Sequence, residues 1–253
     1  MRPFFALLSL NQTPNLIMLR PSFILLSAVA ACFTAMPARA AFMDPATEFS
    51  IATNPNGVWT YGYMTTLGGV FTPHSQSGTT GSLDYWRTDL GAGVPWVAHN
   101  TSATPVGVGS TGVVEGGALT LHPGLSAELS VIRFTPFAAG SFRFTGAFVG
   151  QDIGPGTSTD VHLLSAGSSL FDAAVVGYGP ASAMNFDVTI SLAAGVPVDF
   201  AVGAGPQGNA NFDSTGLSGQ VESVPEPSAA VLLLLSATMT LSRRRRMQKS
   251  GEA

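Results

Sequence analysis

The side chains able to do chemistry in this chain are few: His74, His99, His122 and His162, the single Cys32, and scattered carboxylates. No histidine stands at metal-ligand spacing from another, and neither a His-Glu-x-x-His nor a Gly-x-Ser-x-Gly pattern occurs. Each histidine is therefore expected at a strand end or in a loop. Serines and aspartates are so frequent that many Ser-His-Asp combinations can be drawn, and none is informative. A glycosidase requires two positioned carboxylates, whereas the acids here fall mostly at strand ends or on outward faces. An extracellular hydrolase is the least favoured reading, and no catalytic residue is assigned.

The aromatic residues give a better lead, toward binding. Tyr85-Trp86-Arg87 lies among Asp84, Thr88 and Asp89 and is expected to be an exposed, ligand-contacting loop. An aromatic ring offers a flat apolar face on which the C–H face of a sugar packs, and arginine adds a fork of donors. Trp96 sits in similar loop-rich sequence. Trp59, Tyr61 and Tyr63 alternate along one segment. There the favoured reading is that the Trp59 side fills the core, with a sugar platform as the competing one.

Charge narrows the partners. Between residues 41 and 223 only Arg87, Arg133 and Arg143 are basic, against thirteen acids, a net charge of −10. Such a surface repels phosphate backbones, which argues against nucleic acid as a partner.

These residues must be positioned by strands. The 183-residue span from 41 to 223 is long enough for one substantial core. It shows no 3.6-residue apolar stripe, only short runs with period-two alternation between Gly and Pro punctuation. From Asn185 to Leu192, Phe186, Val188, Ile190 and Leu192 point one way, and Asp187, Thr189 and Ser191 the other. Val198 to Val202 and Ser141 to Phe148 behave alike. In Glu128 to Phe134, Val131 and Ile132 are adjacent, so that strand is either covered on both faces or bulged. Val58 to Met64, Ala118 to His122, Val161 to Leu164 and Phe171 to Val176 add strands, and Leu217 to Val221 closes the sheet. About nine strands predict an all-β, jelly-roll-like two-sheet antiparallel sandwich.

The two ends read as addresses. Arg20, the apolar run Phe23 to Phe33 and Ala38-Arg39-Ala40 form a signal peptide over residues 1–40, cut between Ala40 and Ala41. Met18 is the expected true start. Cutting there removes Cys32 and leaves no thiol for a disulfide or metal site. The competing reading takes Val29-Ala30-Ala31-Cys32 as a lipoprotein box, with Cys32 the first mature residue. At the other end, residues 224–253 hold Val224-Pro225-Glu226-Pro227, the apolar stretch Ala229 to Leu241, and Arg243, Arg244, Arg245 and Arg246. The arginines hold the cytoplasmic side. Thirteen apolar residues fall short of the roughly 20 of a comfortable spanning helix, which suits a short hydrophobic helix that is used and then removed. A short buried helix with a basic end is the competing reading.

In that order and at that end, Val224 to Pro227, the apolar stretch and the arginine cluster resemble a PEP-CTERM sorting signal. The resemblance implies export, transient anchoring in the membrane, and processing by an exosortase near Pro225-Glu226-Pro227, in bacteria that make extracellular polysaccharide. A second resemblance is carried by Leu121-His122-Pro123-Gly124, Val131 to Pro136, Ala194-Gly195 with Val198-Asp199-Phe200, and Asn54 to Gly62. It is to exported bacterial jelly-roll domains similar in shape to non-catalytic carbohydrate-binding modules. It implies a cell-envelope or matrix protein associated with exopolysaccharide or, alternatively, a dedicated carbohydrate-binding module. Such modules often carry a structural calcium joining the first and last strands. Calcium takes roughly six to eight oxygens, and Glu48 with Asn209, Asn211 and Asp213 are the candidates here. Asn and Asp are equally ordinary turn residues.

Overall fold

The computed structural model of the chain describes residues 40–88 and 93–225. The expected signal peptide up to residue 39, with Cys32 and Ala38, the tail from Glu226 onward with Pro227 and Arg243 to Arg246, and the expected C-terminal helix lie outside the described residues. Among the described residues no helix is long and apolar enough to cross a membrane.

Among the described residues sixteen strands are numbered along the chain, and fourteen of them form a two-sheet antiparallel sandwich. The larger sheet runs, in spatial order, β14 (Met184–Leu192), β11 (Gly140–Gly150), β16 (Thr215–Val224), β9 (Leu119–His122), β6 (Trp96–Asn100), β5 (Leu83–Arg87) and β4 (Gln76–Thr80). The short β1 (Phe42–Met43) joins it against β16. The smaller sheet runs β13 (Ser168–Gly177), β12 (Thr157–Ser165), β15 (Val198–Gly203), β10 (Leu129–Phe134), β2 (Trp59–Met64) and β3 (Phe71–Pro73). A separate hairpin consists of β7 (Val106–Val108) and β8 (Gly112–Val114), and one 3-10 turn spans Gly179–Ser182.

The alternation in sequence becomes burial in the sandwich. In β14, Phe186 and Leu192 are buried while Asn185, Asp187, Thr189 and Ser191 are exposed. Between the sheets Trp59, Phe134, Phe142, Phe144, Phe186 and Phe200 make an aromatic core of tilted and edge-to-face pairs. Phe134 lies 5.6 Å from Phe144 at 81°, and Trp59 lies 5.4 Å from Phe134. Trp59 and Tyr61 are both fully buried, so that side of β2 is core.

β10 is covered on both faces. Ile132 enters the main core, while Val131 and Leu129 pack with Met64, Ala201 and Phe71 on the outside of the smaller sheet. Gly62 permits this: a Cβ there would sit 2.6 Å from the Phe71 ring. The Arg133 guanidinium lies 4.0 Å from the centre of that ring and is forked onto Asp199 at 2.6 and 2.9 Å.

Residues 44–50 tie the sheets together. Trp59 Nε1 on β2 donates to Glu48 Oε2, and Trp86 Nε1 on β5 donates to the Ser50 carbonyl. Phe49 packs on Tyr61 at 4.7 Å.

Two expectations need correcting. Tyr85-Trp86-Arg87 is not a loop but strand β5, paired on both sides, and Trp96 begins strand β6. β16 does not close the sheet at an edge; it lies between β11 and β9, and it includes Val224.

Candidate functional site

Because β5 is a strand, its three successive residues cannot share a face. Trp86 turns inward and is buried against Val97, its cross-strand partner. Tyr85 and Arg87 turn outward, half-buried, on the outer face of the larger sheet. Tyr85 lies over Gly78 of β4; a Cβ there would meet the phenol oxygen at 2.6 Å. The Arg87 guanidinium stands 4.9 Å from the Tyr85 ring centre.

The next strands extend the stripe. Arg87 pairs with Trp96, and Trp96 pairs in turn with His122 of β9. The indole and imidazole are stacked 5.6 Å apart and only 9° from parallel. Burial pushes the His122 pKa below its ordinary value, outweighing the Pro123 carbonyl and Asp152, which raise it. The ring is therefore neutral at pH 7. Its Nδ1 donates to the Pro123 carbonyl at 2.8 Å, since a carbonyl can only accept, and this leaves Nε2 as an acceptor.

The β7–β8 hairpin borders the stripe. Asn100 anchors it, donating from Nδ2 to the carbonyls of Thr104, Val114 and Glu115. Val108 then faces Leu83, Tyr85, Arg87, Trp96 and Ala98 across a shallow cleft of about 210 Å³. Tyr85, Arg87, Trp96 and His122 thus combine flat apolar faces, one fixed positive charge, and a neutral ring with a lone pair. That combination can bind; it holds no nucleophile beside a base.

The remaining candidates are dispersed. Glu48 accepts from Trp59 Nε1 and, at 3.3 Å, from the Asp44 amide. Asp213 is buried beside Ser158, whose amide donates to its Oδ1, and its pKa is pushed up to about 7 by burial and by Asp152 and Asp160. Asn209 accepts from the Asn211 amide, as turn residues do. Glu48 and Asp213 share no partner. Among the described residues no group of three His, Cys, Asp or Glu side chains could hold a metal.

His162 is the residue that sequence reasoning missed. It lies mid-strand in β12, not at a strand end or in a loop, with Nε2 2.8 Å from Asp160 and Nδ1 2.5 Å from Asp172. Burial lowers its pKa, but hydrogen bonds and charge from the two carboxylates outweigh this, and the net shift is upward. Ser169 donates to Asp172, not to the imidazole. Each ring nitrogen faces a carboxylate, and Ser169 is hydrogen-bonded to Asp172, so no hydroxyl stands against either nitrogen of His162. The readable signal was Asp160-x-His162, two residues apart on one strand face.

No protein-family model matches this chain, and no curated sequence matches it. Among solved structures, the chain is similar to the CBM51 from Clostridium perfringens GH95 in complex with methyl-galactose, at 13% identity. That match covers 60% of this chain and 95% of the other, with a TM-score of 0.33. It is also similar to a carbohydrate binding module of family 29, at 14% identity over 74% of this chain and 90% of the other, with a TM-score of 0.28. A family 35 carbohydrate binding module from an environmental isolate matches at 12% identity over 52% and 99%, with a TM-score of 0.27. These likenesses are of fold.

Proposed function

We propose that this chain is an exported, non-enzymatic β-sandwich protein that binds polysaccharide on the outer face of its larger sheet. The observation that carries the reading is the outward stripe of Tyr85, Arg87, Trp96 and His122, spread over three adjacent strands. Sugar rings would stack on Trp96 and Tyr85, and Arg87 would donate to hydroxyl or carboxylate oxygens at their edge. Because the rings stand on paired strands, little side-chain ordering is needed on binding. The experiment is affinity electrophoresis through gels containing neutral or uronic-acid polysaccharides. Wild type is expected to be retarded in at least one gel and Trp96→Ala to run freely. Equal retardation of the two would overturn the reading.

For the route outward, the support is the order of residues at the two ends: a signal peptide before Ala41, then Val224 to Pro227, the apolar stretch and Arg243 to Arg246. The exported chain is held briefly in the membrane, cut by an exosortase near the motif, and delivered to the cell surface or an extracellular matrix. Intact mass from the native host tests this. A species beginning near Ala41 and ending close to Pro227 is expected; one retaining the four arginines would sink the processing step.

A further inference from the structure

Beyond Trp96 the outward stripe runs into a second cleft, of about 440 Å³. Trp96 and Val108 line both this cleft and the smaller one over Tyr85 and Arg87, so the two are halves of one groove. The groove crosses the strands. From Arg87 on β5 it passes Trp96 on β6 and His122 on β9, and it reaches Ser214, the residue before β16. Those four strands are neighbours in the sheet. At about 4.8 Å between strands, three spacings give a path of roughly 14 Å.

The walls of the second half are held in place. The turn of the β7–β8 hairpin is tied down at Thr111, whose carbonyl accepts from the Ile153 amide at 3.0 Å and whose hydroxyl donates to Asp152 at 2.8 Å. The amide of Leu125 donates to the Gly93 carbonyl at 2.8 Å. Phe212 lines only the half away from Arg87. Its φ of +63° is a left-handed conformation that a bulky side chain rarely adopts, and it is 39% exposed. Backbone strain of this kind gathers at ligand-contacting positions. His122 Nε2 is an acceptor without a partner among the described residues, and it is not sealed from solvent. Arg87 lines one half and Asp152 the other, and no further Asp, Glu, Lys or Arg among the described residues lines either. The groove is therefore balanced in charge, within a span of residues 41–223 whose net charge of −10 repels polyanions.

We propose that this groove takes three consecutive sugar rings of a neutral, extended, β-1,4-linked glycan. The inference rests on the polysaccharide-binding reading above and adds to it the class and the length of the chain that is bound. A straight path over evenly spaced strands fits an extended chain that advances by a similar distance per ring, whereas a coiled or branched glycan would leave it. One ring packs on Tyr85 with its hydroxyls toward Arg87, the next on Trp96, and the third beside Phe212. There a hydroxyl of the third ring donates to His122 Nε2.

The test is calorimetric titration of the protein purified from its native host, and of its Phe212→Gly form. Glycine adopts the left-handed backbone freely, so this change removes the ring without disturbing the fold, and an unlowered melting temperature confirms it. The probes are β-1,4-linked oligomers of glucose, mannose and xylose, from one ring to six, with alginate oligomers as the acidic counterpart. In at least one neutral series the trisaccharide is expected to bind about ten-fold more tightly than the disaccharide, with little gain beyond it. Phe212→Gly should lose the gain from the third ring. Equal affinity along every series, alginate oligomers bound as tightly as neutral ones, or an undiminished third-ring gain in Phe212→Gly would each overturn the proposal. A protein retarded in polysaccharide gels that binds none of the neutral series overturns this inference alone. One that binds no series and is retarded in no gel overturns the polysaccharide-binding reading with it.

Discussion

Arg87 and Tyr85 stand two residues apart on one face of a single strand, with the guanidinium 4.9 Å from the phenol ring centre. Trp86, between them, points the opposite way and hydrogen-bonds to Ser50. The outward stripe and the core are thereby served by neighbouring residues.

Replacing each in turn separates the two roles. Tyr85→Ala is expected to keep the wild-type melting temperature and to lose retardation in polysaccharide gels. Trp86→Ala is expected to lose about 3–5 kcal/mol of stability, measured by urea denaturation, because it empties the core and deprives Ser50 of its donor.

His162 makes stability depend on pH in a defined direction. Its folded pKa is raised above the unfolded value of roughly 6.5. The stabilisation is therefore fully present below about 6.5 and is lost as pH rises through the folded pKa. The lowered pKa values of Asp160 and Asp172 act at the other end: their contribution is present above roughly 4 and is lost as pH falls through their folded values. Urea midpoints for His162→Gln should fall below wild type at pH 5.5 and approach it at pH 9.

Asp213 acts in the same direction as His162 and opposite to Asp160 and Asp172. Its folded pKa, about 7, lies above the unfolded value, so the folded state binds the extra proton and stability falls as pH rises from roughly 4 through 7. Asp213→Asn keeps the acceptor for the Ser158 amide. It should match wild type near pH 3.5 and exceed it at pH 8.5; a variant less stable at both values would refute the assignment.

The outer face of the smaller sheet gives a fourth expectation. Asp199→Asn leaves the Arg133 guanidinium without its forked partner beneath Phe71. Arg133 keeps partial solvent contact, so the cost should fall near the lower end for a broken buried pair, about 3 kcal/mol. Gly62→Ala should also destabilise, since its methyl group meets the Phe71 ring. Thermal denaturation reads both.

Sequence showed the central strands well and the site strands poorly, and the reason is physical. β14 alternates apolar with polar because one of its faces is in the core and the other in water. In Val131-Ile132 the adjacent apolar pair reflects a strand covered on both faces, one of two readings open from sequence. β5 reads Leu-Asp-Tyr-Trp-Arg, with a polar and an apolar residue on each face, so no period-two contrast survives. β4, Gln-Ser-Gly-Thr-Thr, is almost wholly polar because it is an edge strand. The hairpin over the larger sheet left no pattern, since it is held by Asn100 rather than by an apolar stripe. The Trp96–His122 stack joins residues 26 positions apart and is visible only once β6 and β9 are paired.

The last strand among the described residues is an interior one. β16 lies between β11 and β9 and carries β1 as well. During synthesis the larger sheet cannot be completed until the chain has emerged to Val224. Until then β11 and β9 each present an open edge able to pair with another molecule. A chain crossing a membrane from its N-terminus would therefore emerge with its larger sheet still open, and the ten-residue β16 would act as the latch.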